Sequence, residues 1–176
     1  MSHRGYKKDY PENTLKSLES ARDLGFEWVE LDLVSTKDNV VICSHNFDLE
    51  TETNGRGYVF NFLYDDLKIL HTGVNSFPQK FERIPQLEEV FKSLSNSISY
   101  NLEIKTMSMF DLRTVKSLLN IIKDTKIKNF MISSFNPMVI LYLKLFCFKV
   151  NTAFLVESNK YLWLVNWLHP DFLNPR

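Results

Sequence analysis

From residue 98 onward the chain alternates extended and helical stretches: a strand at 98–105, a helix at 111–123, and a strand at 130–133. A helix opened by Asn136-Pro137 follows, then a strand at 150–156, a helix near 160–168 and a short strand at 171–174. Parallel strands need a crossover of a dozen or more residues, which a helix supplies. Regular alternation therefore predicts βα units around a parallel sheet. Upstream, Leu15, Leu18, Ala21 and Leu24 recur at helical spacing before Gly25, so residues 11–25 are expected to form a helix. Residues 28–33 read as a strand, 36–39 as a turn and 40–44 as a second extended run. The two runs pair as a hairpin or lie as parallel barrel neighbours; either arrangement brings His45 to the acids of the first. Pro85 opens a helix carrying Leu87, Val90, Phe91 and Leu94.

Between these elements, residues 47–83 lack periodicity and read as an insertion or a functional loop. Its aromatics Phe60, Phe62, Tyr64 and Phe77 suit a small satellite core or a lipid-facing groove. The 176 residues suffice for one domain with a sizeable core, and the 21 basic and 21 acidic side chains balance. No global basic field argues for nucleic acid, so phosphate binding must come from local groups. The apolar run 138–150 is interrupted by Lys144 and Lys149 and is shorter than the roughly 20 residues of a membrane span. It reads as a buried helix. Cys43 and Cys147 lie in apolar runs and read as buried reduced thiols. No signal peptide pattern opens the chain, which favours a cytoplasmic setting; a leader upstream of residue 1 would make it secreted or membrane-associated.

The chemistry-bearing residues cluster at strand ends. Glu30 and Asp32 are two apart on a strand and share a face, where their mutual repulsion invites a hard divalent cation. Asn101, Glu103 and Lys105 share a face of the strand at 98–105. With His3 and Arg4 before the first helix and His45 ending the second extended run, these groups match the C-terminal face of a (β/α)8 barrel, where sites are assembled from several strand ends. His71 and His169 fit no motif and read as structural or exposed.

The sequence resembles the glycerophosphodiester phosphodiesterase family. The resemblance lies in HRG (3–5), PENT (11–14), Gly25 with ELD (30–32), TKDN (36–39) before an apolar run ending at His45, TNGRG (53–57), IPQLEEV (84–90), LEIK (102–105) and SSFNP (133–137). It implies a TIM-type (β/α)8 barrel over residues 1–176, incomplete, with about six βα units, a seventh strand and a small insertion at about 47–83. It further implies a divalent metal, Ca²⁺ or Mg²⁺, on Glu30, Asp32 and Glu103. His3 and His45 would be general acid and base, and Arg4 and Lys105 would bind the substrate phosphate. Family members cleave glycerophosphodiesters to glycerol 3-phosphate and an alcohol.

Two departures touch the substrate pocket. Asn46 stands where the family has Asp after the second histidine, and Thr51-Glu52-Thr53 replaces Arg-Thr-Thr. About 250 residues are usual for this barrel, so an open edge exposed to self-association is expected here. Two alternatives carry the same residues. One is a spider-toxin-like phospholipase D that releases a cyclic phosphate from a lysophospholipid or sphingolipid. The other is an inactive fragment or interaction module.

Overall fold

Strand and helix boundaries follow the local chemistry of their ends. A computed structural model describes residues 1–175. In order these form β1 (Ser2–His3), α1 (Leu15–Asp23), β2 (Trp28–Ser35), β3 (Val41–Cys43), α2 (Tyr64–Leu67), β4 (His71–Thr72) and β5 (Glu82–Arg83). There follow α3 (Leu87–Leu94), β6 (Ser99–Ile104), α4 (Arg113–Thr125), β7 (Phe130–Ser134), α5 (Pro137–Phe146), β8 (Thr152–Val156), α6 (Val165–Leu168) and β9 (Phe172–Pro175). Helix α1 begins at Leu15 because Thr14 caps it: its hydroxyl accepts from Ser17 N while Ser17 Oγ accepts from Thr14 N. The stretch 11–13, expected as the first turn of that helix, stays outside it. Asn136 caps α5 by accepting from Met138 N, with Pro137 at the first helical position.

Six strands run parallel in the order β1-β2-β6-β7-β8-β9, and β3 pairs with β2. That second pairing is antiparallel, Leu33 facing Cys43 and Ser35 facing Val41, so the hairpin is the arrangement adopted. Five residues between the two strands leave no room for a crossover. The helix expected at 160–168 is split into a 3-10 stretch, Asn159–Leu164, and the single turn of α6.

The sheet curls as part of a barrel with the helices outside. Val29, Leu31 and Leu33 of β2 are fully buried against a core that includes Leu18, Leu87, Leu102 and Leu118. Both faces of β2 are buried from Val29 to Ser35, because the acids on its other face line the barrel interior. In the segment 47–83, Tyr64 joins Val34, Ile42, Leu49, Val59 and Leu67 in a second cluster, with Phe62 packed against it. Phe60 instead lines a groove beside the strand ends.

Helix α5 is less buried than its composition suggests. Val139, Ile140 and Leu143 face the core, but Phe146 is 70% exposed and Phe148 beyond it 77%. A helix packed on one side of a sheet buries one stripe, whatever the hydropathy of the rest. Both cysteines are free thiols; Cys43 is buried, whereas Cys147 is only half-buried. Among the described residues no helix is long and apolar enough to cross a membrane. His71 and His169 are exposed; the His71 ring lies tilted against Phe81, centroids 5.5 Å apart.

Candidate functional site

The strand register assembles the site. His3 pairs level with Glu30, Glu30 with Asn101, Asp32 with Glu103, and Glu103 with Ser133. Alternation along β2 and β6 turns Glu30, Asp32, Asn101 and Glu103 to one face, and curvature of the sheet brings three carboxylates together. Oxygens of Glu30, Asp32 and Glu103 lie within 4.8 Å of one another. Glu30 is 2% exposed and Asp32 0%, a burial that isolated carboxylates do not tolerate.

Each acid is held differently. Glu30 Oε2 accepts from the Arg4 backbone N–H at 3.0 Å and lies 3.7 Å from His3 Nε2, while its Oε1 is buried and without a hydrogen-bond partner. Asp32 Oδ2 accepts from Asn13 Nδ2 at 2.9 Å, and Asn13 Oδ1 in turn accepts from Asp32 N at 3.0 Å. Lys105 Nζ stands 3.4 Å from Asp32 and 3.6 Å from Glu103. Burial first, then the charges of Asp32 and Glu103, raise Glu30 well above the usual carboxylate range. Burial, followed by Asp32, raises Glu103. The set fits a divalent cation: three oxygen ligands, one of them a buried orphan, spaced as a cation with oxygens at about 2.0–2.6 Å would span.

Arg4 is already engaged. Its Nη1 donates to both carboxylate oxygens of Glu12, at 3.0 and 3.2 Å. Its Nε lies 3.0 Å from Asp32 Oδ2 but lacks hydrogen-bond alignment, so that contact is one of charge. Glu12 and Asn13 thus belong to the site, positioned by the left-handed backbone of Asn13 (φ 57°). The PENT match marked this stretch without revealing which groups its side chains would reach. His45 follows β3, its ring Nδ1 3.1 Å from Asn46 Oδ1. Burial and then Lys105 lower its pKa below 6.5; burial and then Arg4 lower that of His3. A cavity of about 420 Å3 opens beside the triad, lined by Glu103 and Lys105 together with Phe47, Met107, Met109 and Phe135.

A neutral amide stands 3.1 Å from His45, so Asn46→Asp places an anion there and stabilises the imidazolium. The His45 pKa is expected to rise by about one pH unit, the low end for an opposite charge at contact. A proton NMR titration of the ring C–H checks this, and an unchanged midpoint would contradict the contact.

A family model described as the glycerophosphoryl diester phosphodiesterase family matches residues 3–172. The chain belongs to this family. A glycerophosphodiester phosphodiesterase of Caldanaerobacter subterraneus subsp. tengcongensis is 36% identical over 140 residues, covering 77% of this chain and 57% of the relative. Glycerophosphodiester phosphodiesterase 1 of Mus musculus is 30% identical over 159 residues, covering 87% of this chain and 47% of the relative. The chain therefore spans about half the length of these curated family members. Among solved structures, an Oleispira antarctica phosphodiesterase in complex with its product sn-glycerol-3-phosphate is 26% identical with a TM-score of 0.89. The match covers 99% of this chain and 73% of that one. A Thermotoga maritima glycerophosphodiester phosphodiesterase gives 26% identity and a TM-score of 0.77 over 99% of this chain and 72% of that one. The fold is that of these TIM-type barrels, incomplete here: β1 and β9 are the two ends of the parallel strand order.

Proposed function

We propose that this chain hydrolyses glycerophosphodiesters to glycerol 3-phosphate and an alcohol, as a barrel domain over residues 1–176 with 47–83 as its insertion. The observation that carries the proposal is the buried carboxylate triad with the unpartnered Glu30 Oε1. Glu30, Asp32 and Glu103 would hold Ca²⁺ or Mg²⁺, whose charge, when bound, would polarise a phosphoryl oxygen. The product complex of the Oleispira antarctica relative supports glycerol 3-phosphate as the ligand class.

This chain's own groups supply the remainder. Lys105, partly exposed at the cavity edge, presents its ammonium to phosphoryl oxygens, and Arg4, aimed by Glu12, presents its guanidinium from the other side. His3 and His45 are the general acid and base. Burial and neighbouring cations hold both below the free imidazole value, which suits the one that acts as base; the other must first take up the proton it gives as acid. In the tautomer with Nδ1–H donating to Asn46, His45 keeps Nε2 as the basic atom.

A second reading, cleavage of a lysophospholipid with release of a cyclic phosphate, is supported by the cavity's apolar wall. Met107 and Met109 are 58% and 55% exposed at its rim. Phosphorus NMR of the purified chain with glycerophosphocholine or lysophosphatidylcholine separates the two readings. The expected product is glycerol 3-phosphate from glycerophosphocholine, formed with Mg²⁺ or Ca²⁺ and lost in excess chelator. Turnover indifferent to chelator, or no turnover of either diester, overturns the proposal.

A further inference from the structure

Lys105 sits between two residues held by the end of β7 and by the turn that follows it. Ile104 O accepts from Ser134 Oγ at 2.7 Å, and Ser134 Oγ accepts from Asn136 N at 3.0 Å. On the other side of Lys105, Asn136 Nδ2 donates to Thr106 Oγ1 at 2.8 Å, with Met109 O at 3.0 Å and Ser108 O at 3.3 Å. Lys105 N itself donates to Leu33 O of β2 at 3.0 Å. The lysine is thus gripped from β2 and from the end of β7, and the loop beyond it is tied to one carboxamide. Asn136 is 8% exposed, whereas Met107, Met109 and Phe110 of the tied loop are more than half exposed.

The same side chain has a second task, since Asn136 Oδ1 accepts from Met138 N at 2.9 Å and caps α5. Capping needs only an oxygen, which Asp and Ser also provide. Tying the loop needs the NH2 group, which neither has. The two tasks are chemically separable.

We propose that Asn136 is a positioning residue, whose carboxamide fixes the loop 106–109 and so holds the Lys105 ammonium over the acidic triad and sets one wall of the cavity. Its kinetic readout rests on the phosphodiesterase reading; its structural readout does not. Asn136→Asp and Asn136→Ser keep the cap oxygen and lose the tether. Both variants are expected to melt within about 3 °C of the parent, as preserved caps should. KM for glycerophosphocholine should rise about tenfold, the factor that ~1.4 kcal/mol makes at 25 °C. The change in kcat should stay within about threefold, because the tether acts on ground and transition states alike.

Two measurements proceed without turnover. Calorimetric binding of glycerol 3-phosphate, in the presence of Mg²⁺, should weaken by the same factor, and the amides of 106–110 should exchange hydrogen about tenfold faster. Parent-like KM, product affinity and exchange in variants that melt normally overturn the inference. If the parent neither turns over nor binds glycerol 3-phosphate, the functional reading fails while the exchange comparison still decides whether Asn136 clamps the loop. Should both variants lose stability, Thr106→Val, which removes one acceptor and leaves the cap intact, must raise exchange in the loop in the same direction, and parent-like exchange in it refutes the clamp.

Discussion

Replacing Glu30 by Gln is expected to stabilise the metal-free protein while removing metal-dependent turnover. Glu30 is pushed up by burial and by the charges of Asp32 and Glu103, so folding favours its protonated form. A group whose pKa rises on folding contributes stability fully below its unfolded value, near 4.5, and loses that contribution as pH climbs through the folded value. At neutral pH the metal-free parent therefore bears a destabilising carboxylate cluster. Gln has Glu's shape, its oxygen can still accept from Arg4 N, and its new NH2 meets carboxylates as a donor. The variant should gain at least ~1 kcal/mol at pH 7, about 2–4 °C in melting temperature. The difference should vanish toward pH 4. Added Mg²⁺ or Ca²⁺ should raise the melting temperature of the parent and leave the variant unmoved. Turnover should fall by about a thousandfold or more, the scale of removing a group that stabilises transition-state charge. Calorimetry across pH with and without cation checks each part; a variant less stable than the parent at pH 7 would refute the electrostatic account.

Gly5→Ala should be strongly damaging to the fold beside the site. Gly5 has φ +81°, and an added Cβ would lie 2.7 Å from the backbone carbon of Ser17 and 2.5 Å from its Oγ. Ser17 cannot give way, because its hydroxyl closes the cap of α1 and its carbonyl accepts from Tyr6 N. Left-handed strain of about 1–2 kcal/mol adds to an overpacking cost of about 1–3 kcal/mol. A drop of roughly 10 °C in melting temperature follows for a chain of this size. The neighbouring Arg4 also has positive φ, at 61°, so the displacement would reach the guanidinium between Glu12 and Asp32 and the His3 ring beside Glu30. A thermal melt of the variant tests this; a shift under 3 °C would show that α1 can slide.

How much could be read from the chain depended on how local the cause was. Residues 98–156 declared their strands and helices because each element's periodicity is set by its own side chains. Glu30 with Asp32, and Glu103 with Lys105, could be placed on shared faces because strand alternation is fixed at two. The outcome was less legible for 11–14. A helical start was expected there, yet Asn13 takes a left-handed turn to exchange two hydrogen bonds with Asp32, nineteen residues away. Nothing within 11–14 encodes that partner. The exposed end of α5 escaped for a related reason: hydropathy reports what a residue prefers, and packing decides which stripe is covered.

The sequence by itself determined a βα chain with two acid-bearing strands and histidines near their ends, and its motifs placed it with the glycerophosphodiester phosphodiesterases. Only the tertiary structure decided that β3 folds back as a hairpin and that Arg4 is shared between Glu12 and Asp32. It alone drew three carboxylates within 4.8 Å and hung the Lys105 loop on Asn136. The physical reason is that register and curvature between strands, not spacing along one of them, set the distances at which charges repel, bind a cation or take up a proton.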